Sequence, residues 1–130
     1  MAHYALLDEN NKVTDVITGV SEDNTDDLPT GFSSWEDWYK DFTGANDVKR
    51  TSYNTAANNH TLGGTPFRGN YAGIGMTYDP TNDVFIAPTD HDSWILDETT
   101  WSYKAPKDYP DDGKGYYWDE TAGDWVENSE

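Results

Sequence analysis

The sequence predicts a mainly β fold of the α+β kind, made of successive antiparallel hairpins and one short amphipathic helix. Three observations predict it. A short pattern recurs through the C-terminal half, one stretch has helical periodicity, and the composition is rich in aromatic rings. The pattern stands at Tyr78-Asp79-Pro80-Thr81, Leu96-Asp97-Glu98-Thr99 and Trp118-Asp119-Glu120-Thr121. In each copy apolar residues lead in and an Asp opens a polar stretch. An aromatic residue (Phe85, Tyr103, Trp125) stands six positions after the Asp. Aromatic and β-branched residues suit pleated strands, and Asp followed by Pro, Glu or Thr suits a tight turn. Each copy therefore reads as a β-hairpin whose Asp accepts hydrogen bonds from backbone N–H groups of the turn. A lone hairpin cannot bury its aromatic face, so the copies are expected to stack on one shared core.

At 130 residues the chain has room for one domain, residues 1–130. Aromatic residues make up 15% of it, against 35% for all hydrophobic residues, so a few large rings must supply much of the core. There is no Cys, which removes disulfides and thiolate metal sites. The 25 acidic and 8 basic residues give a net charge of −17, which disfavours nucleic acid and anionic membranes as partners. No apolar run approaches the roughly 20 residues that span a bilayer, and no signal peptide is visible. A soluble protein is expected.

Residues 1–18 read as an N-terminal hairpin. It carries a weaker fourth copy of the pattern, Leu7-Asp8-Glu9-Asn10, with Asn10-Asn11 at the turn and Ala5, Leu7, Val13 and Val16 on a buried face. The acidic stretch Ser21–Asp27 lacks the Gly and closing Glu of an EF-hand and reads as a solvated loop. Residues 33–44 read as the helix. Ser33 or Ser34 caps it, and Trp35, Trp38, Tyr39 and Phe42 fall at i, i+3, i+4 and i+7, a stripe expected to lie across the sheet as core. Gly44 stops it. After a short strand at Thr51-Ser52-Tyr53, residues 54–70 are polar, Gly-rich and without periodicity. They are expected to form a long loop that contacts a partner or a second copy. Asn58, Asn59, His60, Phe67 and Arg68, with Tyr71 just beyond, are its candidate contact residues. Residues 71–127 form the hairpin-repeat region, in which Pro88, Pro106 and Pro110 end strands between copies. Its opening glycines, Gly73 and Gly75, precede neither a Lys nor a helix pattern, so they make no phosphate loop.

Little in the chain points to catalysis. His91 lies between Asp90 and Asp92, but neighbours on an extended chain point apart. His3 and His60 lack the spacing of a metal site, and no Ser lies in a nucleophile elbow. No catalytic residue, metal or cofactor is assigned, and no enzyme is expected. Exposed tryptophans, Trp94 with Trp101 or Trp118 with Trp125, could form a sugar-stacking platform. Cross-strand packing is the simpler use for them.

The run Asn70-Tyr71-Ala72-Gly73-Ile74-Gly75-Met76-Thr77-Tyr78-Asp79 resembles a signature of small proteins from marine tailed bacteriophages, especially those of cyanobacteria. So do Phe85-Ile86-Ala87-Pro88, Ser93 to Thr99, Tyr109 to Lys114 with Tyr117 to Glu120, and the opening Met1 to Ala5 with its hairpin to Ile17. The resemblance covers about two-thirds of the chain, and the segment from Gly19 to Gly69 departs from it. It implies a structural, non-enzymatic virion protein, assembled in the host cytoplasm. The first expectation is a capsid decoration or cement protein bound to the major capsid protein and to neighbouring copies of itself. The alternative is a tail or tail-fibre accessory protein that binds host glycans.

Overall fold

The computed structural model describes residues 2–128. Strands β1 (Ala2–Leu7), β2 (Val13–Gly19) and β3 (Asp47–Thr51) form an antiparallel sheet in the order β2-β1-β3. Helix α1 (Trp35–Thr43) lies between β2 and β3 in the chain. Two-stranded antiparallel hairpins then follow in series. They are β4 (Thr55–Ala56) with β5 (Asn59–His60), β6 (Thr77–Asp79) with β7 (Val84–Ile86), β8 (Ile95–Asp97) with β9 (Ser102–Lys104), and β10 (Tyr116–Asp119) with β11 (Asp124–Glu127). The architecture is mainly β with one short helix, as the sequence predicts.

Alternate side chains of a strand point to opposite faces, and the central strand β1 buries both. On one face Ala5 and Leu7 pack with Val13, Ala72, Tyr78 and Phe85. On the other Ala2 and Tyr4 pack with Trp35, Tyr39 and Val48. The sheet is therefore a middle layer, with α1 on one side and the first repeat hairpin, β6–β7, on the other. This corrects the expectation of one core shared by stacked repeats. Only the first copy packs its pair, Tyr78 and Phe85, against the sheet, and on its other face it carries the apolar Val84 and Ile86. The second copy has Ser102 and Lys104 at those positions, and the third has Asp124 and Val126. The later hairpins join through a separate aromatic cluster. Its Trp118 and Trp125 rings meet edge to face at 5.3 Å, with Trp94 at 6.2 Å from each and Tyr109 at 5.0 Å from Trp125.

The Asp of every copy behaves as its chemistry dictates. Asp79 accepts from Thr81 N (2.9 Å), Asp97 from Thr99 N (2.8 Å) and Asp119 from Thr121 N (2.9 Å). In the N-terminal copy Asp8 accepts from Asn10 N and Lys12 N. The turns end alike, four residues after the Asp, in a left-handed residue: Asp83, Trp101 and Gly123, with φ of 57°, 56° and 64°. The residue before the Asp then faces the residue six after it, giving the pairs Tyr78–Phe85, Leu96–Tyr103 and Trp118–Trp125. Aromatic cross-strand pairs of this kind each contribute about 0.2–1 kcal/mol.

Helix α1 starts where Ser34 Oγ accepts from Asp37 N (3.1 Å) and stops at Gly44, whose φ is 73° and whose N–H donates to Lys40 O. Trp35 and Tyr39 are buried. The rest of the stripe departs from the expected core role. Trp38 is half-buried, and Phe42 is 70% exposed and stacked on Trp38 at 4.9 Å. A nine-residue helix crosses so narrow a sheet with one face of its first turns, and its last turn overhangs. Gly19 permits the docking, because a Cβ there would come within 2.5 Å of the Tyr39 hydroxyl, which accepts from Val20 N.

Candidate functional site

The segment from 54 to 70 contains the short β4–β5 hairpin, and its side chains reach in several directions. Arg68 lies near its end, with φ of 52° and a side chain only 14% exposed. Its Nη1 donates to Glu36 Oε2 on α1 (2.8 Å) and to Arg50 O on β3 (2.8 Å). Its Nε lies 2.9 Å from Asp83 Oδ1 of the β6–β7 turn, an ion pair by distance whose angle falls outside hydrogen-bond geometry. Arg68 O accepts from Phe85 N, and Tyr78 OH donates to Asp83. One guanidinium thus clasps helix, sheet edge and first repeat hairpin together. Burial works against its charge, but the hydrogen bond and attraction of Glu36, with Asp83, outweigh that and raise its pKa. Burial, followed by the bond to Asp83, also pushes the Tyr78 hydroxyl well above the ordinary phenol value.

Asn70 extends the clasp to the next hairpin. Its Nδ2 donates to Phe85 O and to Trp101 O, both at 2.9 Å, and its Oδ1 accepts from Ala57 N. Gly69, at φ 74°, is pressed against Val84 and Trp101, where a Cβ would sit 3.1 Å from each. Asn58 Nδ2 donates to Thr99 O. The expected contact residues therefore divide. Arg68 is turned inward, and Phe67 is half-buried between the Arg50 and Arg68 guanidiniums at 4.7 and 4.8 Å. His60 Nδ1 accepts from Leu62 N and Gly64 N and so holds the turn that carries Leu62. Asn58 and Asn59 are exposed. Tyr71 lies at the surface with its ring edge-on to His3. Glu36, Asp83 and Asn70 were missed, because they meet only through long-range packing, and nothing in their local sequence signals it.

The structure draws in the candidate tryptophans as well. Trp118 is buried, Trp125 is half-buried and donates to Lys107 O, and Trp101 packs beside Gly69. No pair of them forms an open platform. Trp94 instead lines a groove between the first and second repeat hairpins, of about 750 Å³, together with Thr77, Tyr78, Pro80, His91, Asp92 and Tyr103 among others. The turn from His91 to Trp94 is fixed from behind by Glu120. This carboxylate accepts from Ser93 N (3.0 Å), Ser93 Oγ (2.7 Å) and Trp118 Nε1 (2.9 Å). Those donors, Ser93 first, hold its pKa below the usual carboxylate range.

Among the described residues no group of three or more His, Asp or Glu is placed to hold a metal ion. In the acidic loop, Asn24 donates to Asp27, and the Glu22 carboxylate receives Glu36 N at the start of α1. No helix of the described residues is long and apolar enough to cross a membrane. The chain matches no protein-family model, no curated protein and no solved structure.

Proposed function

We propose that this chain is a structural component of a tailed-phage particle, a decoration protein that binds the outer face of the major capsid protein shell. The resemblance of its repeat region to small phage proteins supports the reading. One observation of the fold carries it further. The clasp leaves two irregular segments projecting, and each presents a bare aliphatic side chain: Leu62 is 79% exposed and Ile74 is 73% exposed. Isolated exposed apolar residues are ordinary. Here, however, Leu62 rides on a turn fastened by His60, so an apolar anchor is held ready for a partner surface at little ordering cost. The net charge of −17 suits a part that stays off the packaged genome.

The test is a reconstruction of the intact particle by electron cryomicroscopy. Density for this domain over the shell in icosahedral register, with the 60–64 turn and Ile74 against the capsid, is the expected result. Density restricted to the tail or fibres, or particles that lack the chain, would remove the decoration role.

A further inference from the structure

The groove between the first and second repeat hairpins has the features of a ligand site, independent of where in a particle the chain sits. Its volume of about 750 Å³ lies inside the roughly 300–1,000 Å³ of small-molecule sites. Rings line it. Trp94 carries the His91 imidazole against it, with centroids 4.7 Å apart and planes at 32°, and Tyr103 is 37% exposed. Polar groups line it too. The hydroxyls of Thr77 and Tyr103 and the carboxylate of Asp92 make no hydrogen bond among the described residues, whereas Asp79 is used by its own turn. The groove is pre-formed as well, since Glu120 and the Trp94 N to His91 O bond (3.0 Å) hold the turn bearing both rings.

The surrounding chemistry selects the occupant. A chain of net charge −17 repels polyanions, so phosphorylated or sulfated ligands are disfavoured. An extended peptide finds no free strand at the core of β6–β7, because Tyr78 N is bonded to Asn11 O (2.8 Å) and Phe85 N to Arg68 O (2.9 Å). A neutral sugar suits all these features. Its C–H faces stack on rings, its hydroxyls donate to a carboxylate and exchange bonds with hydroxyls, and it carries no charge to be repelled. We propose that this groove binds a neutral saccharide, with Tyr103 and the His91–Trp94 pair as its ring walls and Asp92 and Thr77 as hydroxyl partners.

The test is a titration of the full chain with malto-, cello-, manno- and galacto-hexaoses, followed by amide chemical shifts. At least one of these should give saturable shifts at His91–Trp94 and at Leu96–Tyr103, with dissociation constants of roughly 1 mM or tighter. Tyr103→Ala and Asp92→Ala should each weaken that binding about tenfold, whereas Phe42→Ala, on the overhanging end of α1, should leave it unchanged. Unaltered shifts outside residues 77–103 in both groove variants would show that they fold. Absence of saturable shifts with all four sugars would overturn the proposal. So would shifts centred elsewhere, unchanged affinity in both groove variants, or tighter binding of dextran sulfate or a proline-rich peptide in the same groove.

Discussion

The first and second repeat hairpins share a turn but not a fate. Both open on an Asp that binds the N–H two residues on, both end in a left-handed residue, and both pair the residue before the Asp with an aromatic six after it. Yet Phe85 is completely buried, whereas Tyr103, at the equivalent position, is 37% exposed. The difference lies in what covers the pair. Tyr78 and Phe85 pack with Ala5, Leu7, Val13 and Ala72, whereas Leu96 and Tyr103 line an open groove. The repeat therefore specifies a turn and a cross-strand pair, and burial is decided by the layer that meets that pair. It follows that the N-terminal layers form the stable platform. The later hairpins are attached by discrete bonds from Asn58, Asn70 and Glu120.

The largest effect should come from truncating the buried member of the equivalent pair. Phe85→Ala should lose about 3–5 kcal/mol in denaturant unfolding, the usual cost of emptying a core aromatic site. Tyr103→Ala should stay within about 1 kcal/mol, as surface changes do. Equal losses would break the distinction between the hairpins.

Next in size is the clasp. Arg68→Met would strip Glu36, only 22% exposed, of its cation and would unpair the 56% exposed Asp83, a loss of about 1–3 kcal/mol carried mainly by Glu36. The loss should appear in the platform, through β6–β7, and a near-neutral result would show that the clasp is ornamental.

A smaller effect is expected from acid. The carboxyls of Asp79, held by Asn82, and Asp97, held by Thr99 N, lie below the usual range, as does Glu120, held by Ser93. A depressed folded pKa adds stability that is fully present above the unfolded values, about 3.9 for Asp and 4.3 for Glu. That stability is lost as the pH falls through the lower folded values. Below about pH 4 the Glu120 fastening should open before the platform unfolds, changing tryptophan fluorescence at Trp94 and Trp118 first. Glu120→Gln should blunt that early change. A single concerted transition would contradict the separation of the two regions.

The smallest effect concerns the outer strands. Val16 N donates to Asp15 Oδ1, and Val48 N to Asp47 Oδ1, both at 2.8 Å, so each edge strand has a donor occupied by its own carboxylate. Edge donors left open invite pairing with another chain. Asp15→Ala with Asp47→Ala should leave the chain folded but raise self-association in sedimentation velocity, and no change would show that these caps are incidental.

Much of this was legible in the sequence, because its signals were local. The Asp turns, the cross-strand offset, and the cap from Ser34 to Asp37 each depend on residues within seven positions. What local pattern could not show was coverage. Trp35 and Phe42 share a helical stripe, but only Trp35 lies over the sheet, and the sheet's width is not written in the helix. The segment from 54 to 70 reads as a long loop without structure of its own because its polar side chains find their partners far along the chain. Arg68 meets Glu36 and Asp83, and Asn70 meets Trp101. The same polarity would suit a solvated loop. For the groove, Trp94 was singled out, but its partners His91 and Tyr103 come together only when two hairpins are set side by side.

The most direct test of the account is native-state hydrogen exchange on the intact chain near neutral pH. Two levels of protection are expected. Amides of β1, β3 and β7 should exchange only through global unfolding, and those of β8 to β11 through a cheaper opening that leaves the platform closed. One uniform opening energy across all of these strands would contradict the division of the molecule into platform and attached hairpins.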